Sequence, residues 1–296
     1  FLHWDDIVRD HWPASPWEIA LQGLRFAGWY LGRGGLIRIA RMCPSVALCG
    51  VYPLLFFGAC LAFVTLVAWL LHGPLHGLLA VLAVALLVPA CWRLADQQGV
   101  VWLFRSILFT HRLGQARDAS LRERVADLAE RIVALEQGQS DGRLELVGHS
   151  SGSFVMAMLA AQLRRHPAFA PLAPRFSLLS LGQNLANLAV HPGASAFHDD
   201  LLSLAREPRL PWRDITSRDD YLCFAGVDPY RSCRLPIDPP DYPRLELIRL
   251  APRLRLRSWW ALINSQFPLH FQYLHTAPPE LRGGFDYFEH LLGEAA

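Results

Sequence analysis

Hydrophobic and polar positions along the chain follow three different rhythms. From Met42 to Trp92 there is no Asp, Glu, Lys or Arg. That length holds two membrane passes of ~20 residues each. We read Ser45–Leu71 and Leu75–Trp92 as the passes, joined at His72-Gly73-Pro74. A helical hairpin buried in a soluble core would be as long, but each of its helices would keep a polar face, and neither segment has one. Before the hairpin, residues 1–41 are dense in aromatics (Trp4, Trp12, Trp17, Phe26, Trp29, Tyr30), followed by Arg25, Arg33, Arg38 and Arg41. Pro16 suits the first turn of a helix through Trp17–Leu31. The pattern fits an amphipathic segment at a membrane interface, or a pair of surface helices packed on the domain that follows.

After the hairpin the rhythm shortens. Residues 96–118 read as a transition, with Trp102, Phe104 and Phe109 near headgroup level. Ser120–Gln137 has helical spacing of Leu121, Val125, Leu128, Ile132 and Leu135. Arg143–Val147 reads as a strand, Ser153–Arg165 as a helix, Arg175–Leu181 as a strand and Ala196–Arg206 as a helix. Strands over Trp212–Ser217 and Arg244–Leu250 follow, separated by a Pro- and Asp-rich loop at 226–243. Ser258–Asn264 reads as a helix, interrupted by Phe267-Pro268-Leu269-His270. Strand, helix, strand predicts parallel pairing. The fold class expected is therefore α/β: a mostly parallel sheet with flanking helices, plus a transmembrane helical hairpin. Three regions follow: an aromatic and basic segment over 1–43, the hairpin over 44–93, and an α/β domain over 94–296.

Composition sharpens this picture. The 296 residues are 52% hydrophobic, high for a purely soluble protein. A formal charge of +2 gives no case for nucleic-acid binding. Every basic residue is Arg. The six cysteines contain no CxxC, which favours free thiols in a reducing compartment over a disulfide frame or zinc site. No HExxH, Walker lysine or GxGxxG after a strand is present, so no metal or cofactor is expected. Arg33, Arg38 and Arg41 flank the first pass and Arg93, Arg105 and Arg112 follow the second, whereas the hairpin tip has neither Lys nor Arg. The positive-inside rule then places both ends in the cytoplasm, as a multi-pass protein of the inner (cytoplasmic) membrane.

The candidate chemistry lies at Gly148-His149-Ser150-Ser151-Gly152, between the strand at 143–147 and the helix at 153–165. Strand, Gly-x-Ser-x-Gly, helix is the setting of a nucleophile elbow. There a serine is held in a strained turn. Flanking glycines remove Cβ atoms that would clash, and the Ser151 N–H can bind an oxyanion. Residues 143–166 resemble the elbow of α/β-hydrolase-fold esterases and lipases. The LHFQYL segment, within a looser similarity over roughly 90–296, resembles bacterial membrane-anchored α/β-hydrolase-like proteins of poorly defined function.

The resemblance implies the chain order Ser, acid, His. Ser150 is the nucleophile. Asp220 is the preferred acid after the strand at 212–217, with Asp219 second. His270 is the preferred base, with His275 second. Asp214 reads as a solvent-facing strand residue, Asp228 as a turn-stabilising Asp-Pro, and His149 as a pocket-lining neighbour. The resemblance also implies N-terminal strands, and a second oxyanion donor, upstream of residue 1. Gly32–Gly35 has the composition of such a loop but follows a helix. The activity implied is cleavage of carboxylic esters, lipid esters among them, with the bilayer and a small acyl ester as partners. A non-catalytic membrane scaffold, or an acyltransferase using the same triad, would carry the same residues.

Overall fold

A computed structural model describes residues 2–71, 77–115, 119–139, 141–206, 208–237, 242–277 and 285–293. The expected hairpin tip, His72-Gly73-Pro74, and the first residue of the second pass, Leu75, lie outside the described residues.

The first half is helical: α1 (Asp5–His11), α2 (Pro16–Tyr30), α3 (Gly35–Met42), α4 (Pro44–Leu70), α5 (Gly77–Gln97), α6 (Val100–Leu113) and α7 (Ser120–Glu136). α2 starts where its cap dictates. Ser15 accepts from the Glu18 amide, and the Glu18 carboxylate accepts from the Ala14 amide. Gly34, in the left-handed region, turns the chain from α2 into α3, so Gly32–Gly35 is a break between helices.

α4 and α5 are long and apolar enough to cross a membrane. Their burial is uneven along their length. Val46, Ala47, Gly50 and Pro53 of α4 are buried, whereas Leu61, Phe63, Leu66 and Trp69 are exposed, as are Leu78, Leu82 and Leu86 of α5. The first half of α4 is thus rooted in the protein. The Cys49 thiol donates to the Tyr221 carbonyl at 3.3 Å, and the Tyr30 hydroxyl donates to the Ala47 carbonyl at 2.7 Å.

Residues 100–113 are a regular helix rather than a transition. α6 buries Phe104 and Phe109 against α2 and the domain, and only Trp102 of the three expected interface aromatics stays near the surface. Its apolar face matches partners that are remote in sequence: Phe104 packs on both Phe26 and Phe57.

The second half alternates strand and helix: β1 (Leu144–His149), α8 (Gly152–Arg165), β2 (Phe176–Leu181), α9 (Leu185–Ala189), α10 (Ser195–Ala205), β3 (Trp212–Thr216), α11 (Pro229–Ser232), β4 (Arg244–Leu247), α12 (Trp259–Asn264), α13 (Gln266–Phe271) and α14 (Tyr287–Leu292). The sheet is four-stranded and parallel in the order β1-β2-β3-β4. On one face, the alanines of α8 (Ala157, Ala160, Ala161) bring that helix close to the sheet, and Leu201 and Leu204 of α10 join them. On the other, Leu179, Leu181 and Ile215 meet Leu250, Leu269 and Tyr273. Both faces are covered, as parallel sheets require.

Pro268 does not break the chain at 267–270. It falls early in α13, where a missing N–H costs nothing. β4 is shorter than its apolar run, ending at Leu247.

Candidate active site

The site is built at the carboxyl ends of β1, β2 and β3. β1 delivers Ser150, whose φ of 54° places a non-glycine residue in the left-handed region. Only a surrounding structure that over-determines this turn can hold it there. The Ser150 amide donates to the Leu181 carbonyl at 3.0 Å, and the Ser153 hydroxyl donates to the Ser150 carbonyl at 2.6 Å. The two glycines of the motif differ. A Cβ on Gly148 would stand 2.7 Å from the Gly152 carbonyl oxygen and 2.8 Å from the Ser153 Cα, so that position demands glycine. A Cβ on Gly152 would meet nothing within 4 Å. The expectation that both glycines relieve clashes therefore holds for Gly148 alone.

Past β3 the chain turns through Ser217–Asp220 and presents two carboxylates with different tasks. Asp220, fully buried, accepts from His270 Nδ1 at 2.8 Å through one oxygen and from the Leu222 amide at 2.9 Å through the other. Asp219 faces backbone rather than water. Its Oδ2 accepts from the Leu250 and Ala251 amides at 2.9 and 3.0 Å and from Arg249 Nε at 3.3 Å, tying down the segment after β4. Gln266, at the start of α13, ties that helix to the same turn: it donates to the Asp219 carbonyl and accepts from the Tyr221 amide. α13 can then hold His270 beside Asp220 with only 2% of the residue exposed. His275, the second choice as base, lies exposed beyond the following turn.

Ser150, Ser151, Asn184 and His270 line one cavity of about 70 Å³. Its other walls come from the helical half: Phe26, Trp29 and Tyr30 of α2, Val46, Cys49 and Gly50 of α4, and Trp102 and Thr110 of α6. The base of the apolar hairpin is therefore a wall of the site.

Several residues around the elbow have roles that pattern alone did not assign. Asn184, after β2, donates from Nδ2 to Ser150 Oγ at 3.2 Å, and its own amide donates to Ser153 Oγ at 3.0 Å. Ser153 thereby joins the Ser150 carbonyl to the Asn184 loop. The signal was Gly182-Gln183-Asn184 falling beside the elbow once the β-α-β unit was recognised.

His149 does not line the cavity. Its Nε2 donates to the His270 carbonyl at 2.7 Å, and the rings lie 4.8 Å apart. Burial, with the neighbouring His270, pushes its pKa down to about 4, so it braces α13 as a neutral ring.

Asp214 is not solvent-facing. It lies fully buried in β3, where Oδ1 accepts from the Ser180 hydroxyl, which in turn accepts from Trp212 Nε1 at 3.1 Å. Burial pushes its carboxyl up to about 7, against the opposing pull of the Ser180 hydrogen bond. Asp228 caps α11 by accepting from the Tyr230 amide.

No group of three or more His, Cys, Asp or Glu suited to a metal occurs among the described residues. No family model, curated protein or solved structure matches the chain.

Proposed function

We propose that the protein is a serine hydrolase of the α/β-hydrolase type, anchored in the inner (cytoplasmic) membrane by α4 and α5 with its sheet domain in the cytoplasm. The observation that carries this reading is the buried His270–Asp220 pair, whose histidine opens into the same small cavity as a serine held at positive φ. A lone serine hydroxyl is a weak nucleophile, and a hydrogen-bonded imidazole is what activates it.

Ser150 Oγ attacks an acyl carbonyl while the Nε2 side of His270 takes the hydroxyl proton. Asp220 holds the Nδ1–H, so the ring keeps the tautomer that accepts at Nε2, and the imidazolium that forms has a carboxylate partner. Asn184 already donates to Ser150 Oγ, which leaves the hydroxyl's own proton to be given to the base. In this scheme the Ser151 N–H, at the N-cap of α8, serves the oxygen that becomes negative. His270 returns the proton to the leaving alcohol, and water then resolves the acyl-enzyme by the same route. The cavity's volume, about half that of a benzene-sized site of about 150 Å³, suits a short acyl group on a carboxylic ester.

The test is labelling with a fluorophosphonate probe in detergent or in membranes. The wild-type chain should label, and Ser150→Ala and His270→Ala should not. A folded wild-type protein that stays unlabelled would favour a scaffold over an enzyme.

A further inference from the structure

The helix that carries the base has two unlike sides. Leu269 and His270 of α13 are buried, whereas Phe267 and Phe271 are 42% and 39% exposed and stack on each other. The preceding helix, α12, opens with Trp259 and Trp260, 60% and 67% exposed. Such rings in water forfeit the burial that rewards large aromatics. Their position explains the exposure. The Phe267 ring packs edge-on against Trp102 at 4.6 Å and reaches Gly99, the turn that directly follows α5. The Phe267–Phe271 side of α13 is thus continuous with the point where the apolar hairpin enters the body of the protein.

Along this stretch of the chain the charge has one sign. Between Glu246 and Glu280 the chain has four arginines and no acidic residue. Arg255 and Arg257, both exposed, immediately precede the tryptophan pair. Tryptophan sits preferentially at the membrane–water interface, and cations beside it meet anionic headgroups.

We propose that α12, the outer side of α13 and Arg255–Arg257 form a second membrane-contact surface, seated in the headgroup region of an anionic bilayer beside the hairpin. This rests on the reading of α4 and α5 as membrane spans and is independent of the hydrolase chemistry. The bilayer then bears on the helix that holds His270, one residue away from Phe271. A soluble protein or a second copy of the chain is the alternative occupant of the same rings.

The full chain is reconstituted at one copy per lipid nanodisc, with and without brominated acyl chains and with anionic or neutral headgroups. Emission of Trp259→Phe/Trp260→Phe subtracted from that of wild type isolates the pair. The expected result is blue-shifted pair emission, quenched by roughly half or more in brominated discs and little affected by acrylamide. Arg255→Glu/Arg257→Glu should lose at least half of that quenching on anionic discs and keep it on neutral ones. Pair emission that is quenched by acrylamide and indifferent to bromine overturns the proposal. So does shielding that appears only when two copies share a disc. A chain that does not enter discs overturns both the spans and this surface. Fluorophosphonate labelling of the same samples separates the two readings: labelling without lipid quenching sinks the surface alone, and quenching without labelling sinks the enzyme alone.

Discussion

Asp214→Asn should make the protein's stability less dependent on pH. The native carboxyl holds its proton up to about pH 7, whereas that of the unfolded chain releases it near 3.8. Between those values the native state binds a proton that the unfolded state has lost, so stability falls as pH rises. Below pH 3.8 the contribution is fully present, and above 7 it is gone. Over about 3 pH units at about 1.4 kcal/mol each, the loss is about 4 kcal/mol. An amide does not titrate and keeps the acceptor for Ser180. His149 and His191 work in the opposite direction, because their pKa values are pushed down by burial to about 4 and about 3. Their effect is common to both proteins and cancels in the comparison. The assay is thermal denaturation in detergent from pH 4.5 to 8. Relative to the variant, wild type should lose on the order of 10 °C across that range. Parallel curves, differing by a constant offset, would show that Asp214 is ionised in the fold and that burial has been outweighed by a partner.

The two neighbouring aspartates should separate cleanly. Asp220→Asn should lower kcat for a small ester by about 10³–10⁴ with the fold intact, because the ring loses the partner that sets its tautomer. Asp219→Asn should instead lower the melting temperature and leave kcat within about threefold of wild type. Asn184→Ala should reduce kcat by roughly tenfold, the worth of a neutral hydrogen bond. A loss of about 10²–10³ would mark it as the second oxyanion donor instead of an aligner of the hydroxyl. Gly148→Ala should destabilise by about 3 kcal/mol or more, since backbone atoms stand within 3 Å of the new methyl and cannot yield. Gly152→Ala, with open space around it, should melt within about 2 °C of wild type, and calorimetry or light scattering distinguishes the pair.

Much of this arrangement was visible in the chain because strand ends are local features that topology then gathers. Once β1, β2 and β3 are read as parallel neighbours, whatever follows each of them lies at one edge of the sheet, and Ser150, Asn184 and Asp220 do. Where pattern misled, the cause was tertiary cover. Asp214 sits in an alternating strand, and alternation means exposure only when one face of a sheet is open; here helices and loops close both. α6 hid as a transition because its apolar face answers to α2 and α4 and not to its neighbours in sequence. His149 and Ser153 act through backbone carbonyls, and no residue-type rule points to those. Pro268 looked like a breaker and is a helix starter, a difference that depends only on where α13 begins.

The backward bend at residue 150 leaves the protein with opposed demands. Any side chain there costs roughly 1 kcal/mol or more relative to glycine. Durability alone therefore favours loss of the hydroxyl, and under the proposed reading its use as a nucleophile outweighs that burden. Ser150→Gly is then the sturdier form and, under the proposed hydrolase reading, an inert bait for its substrate.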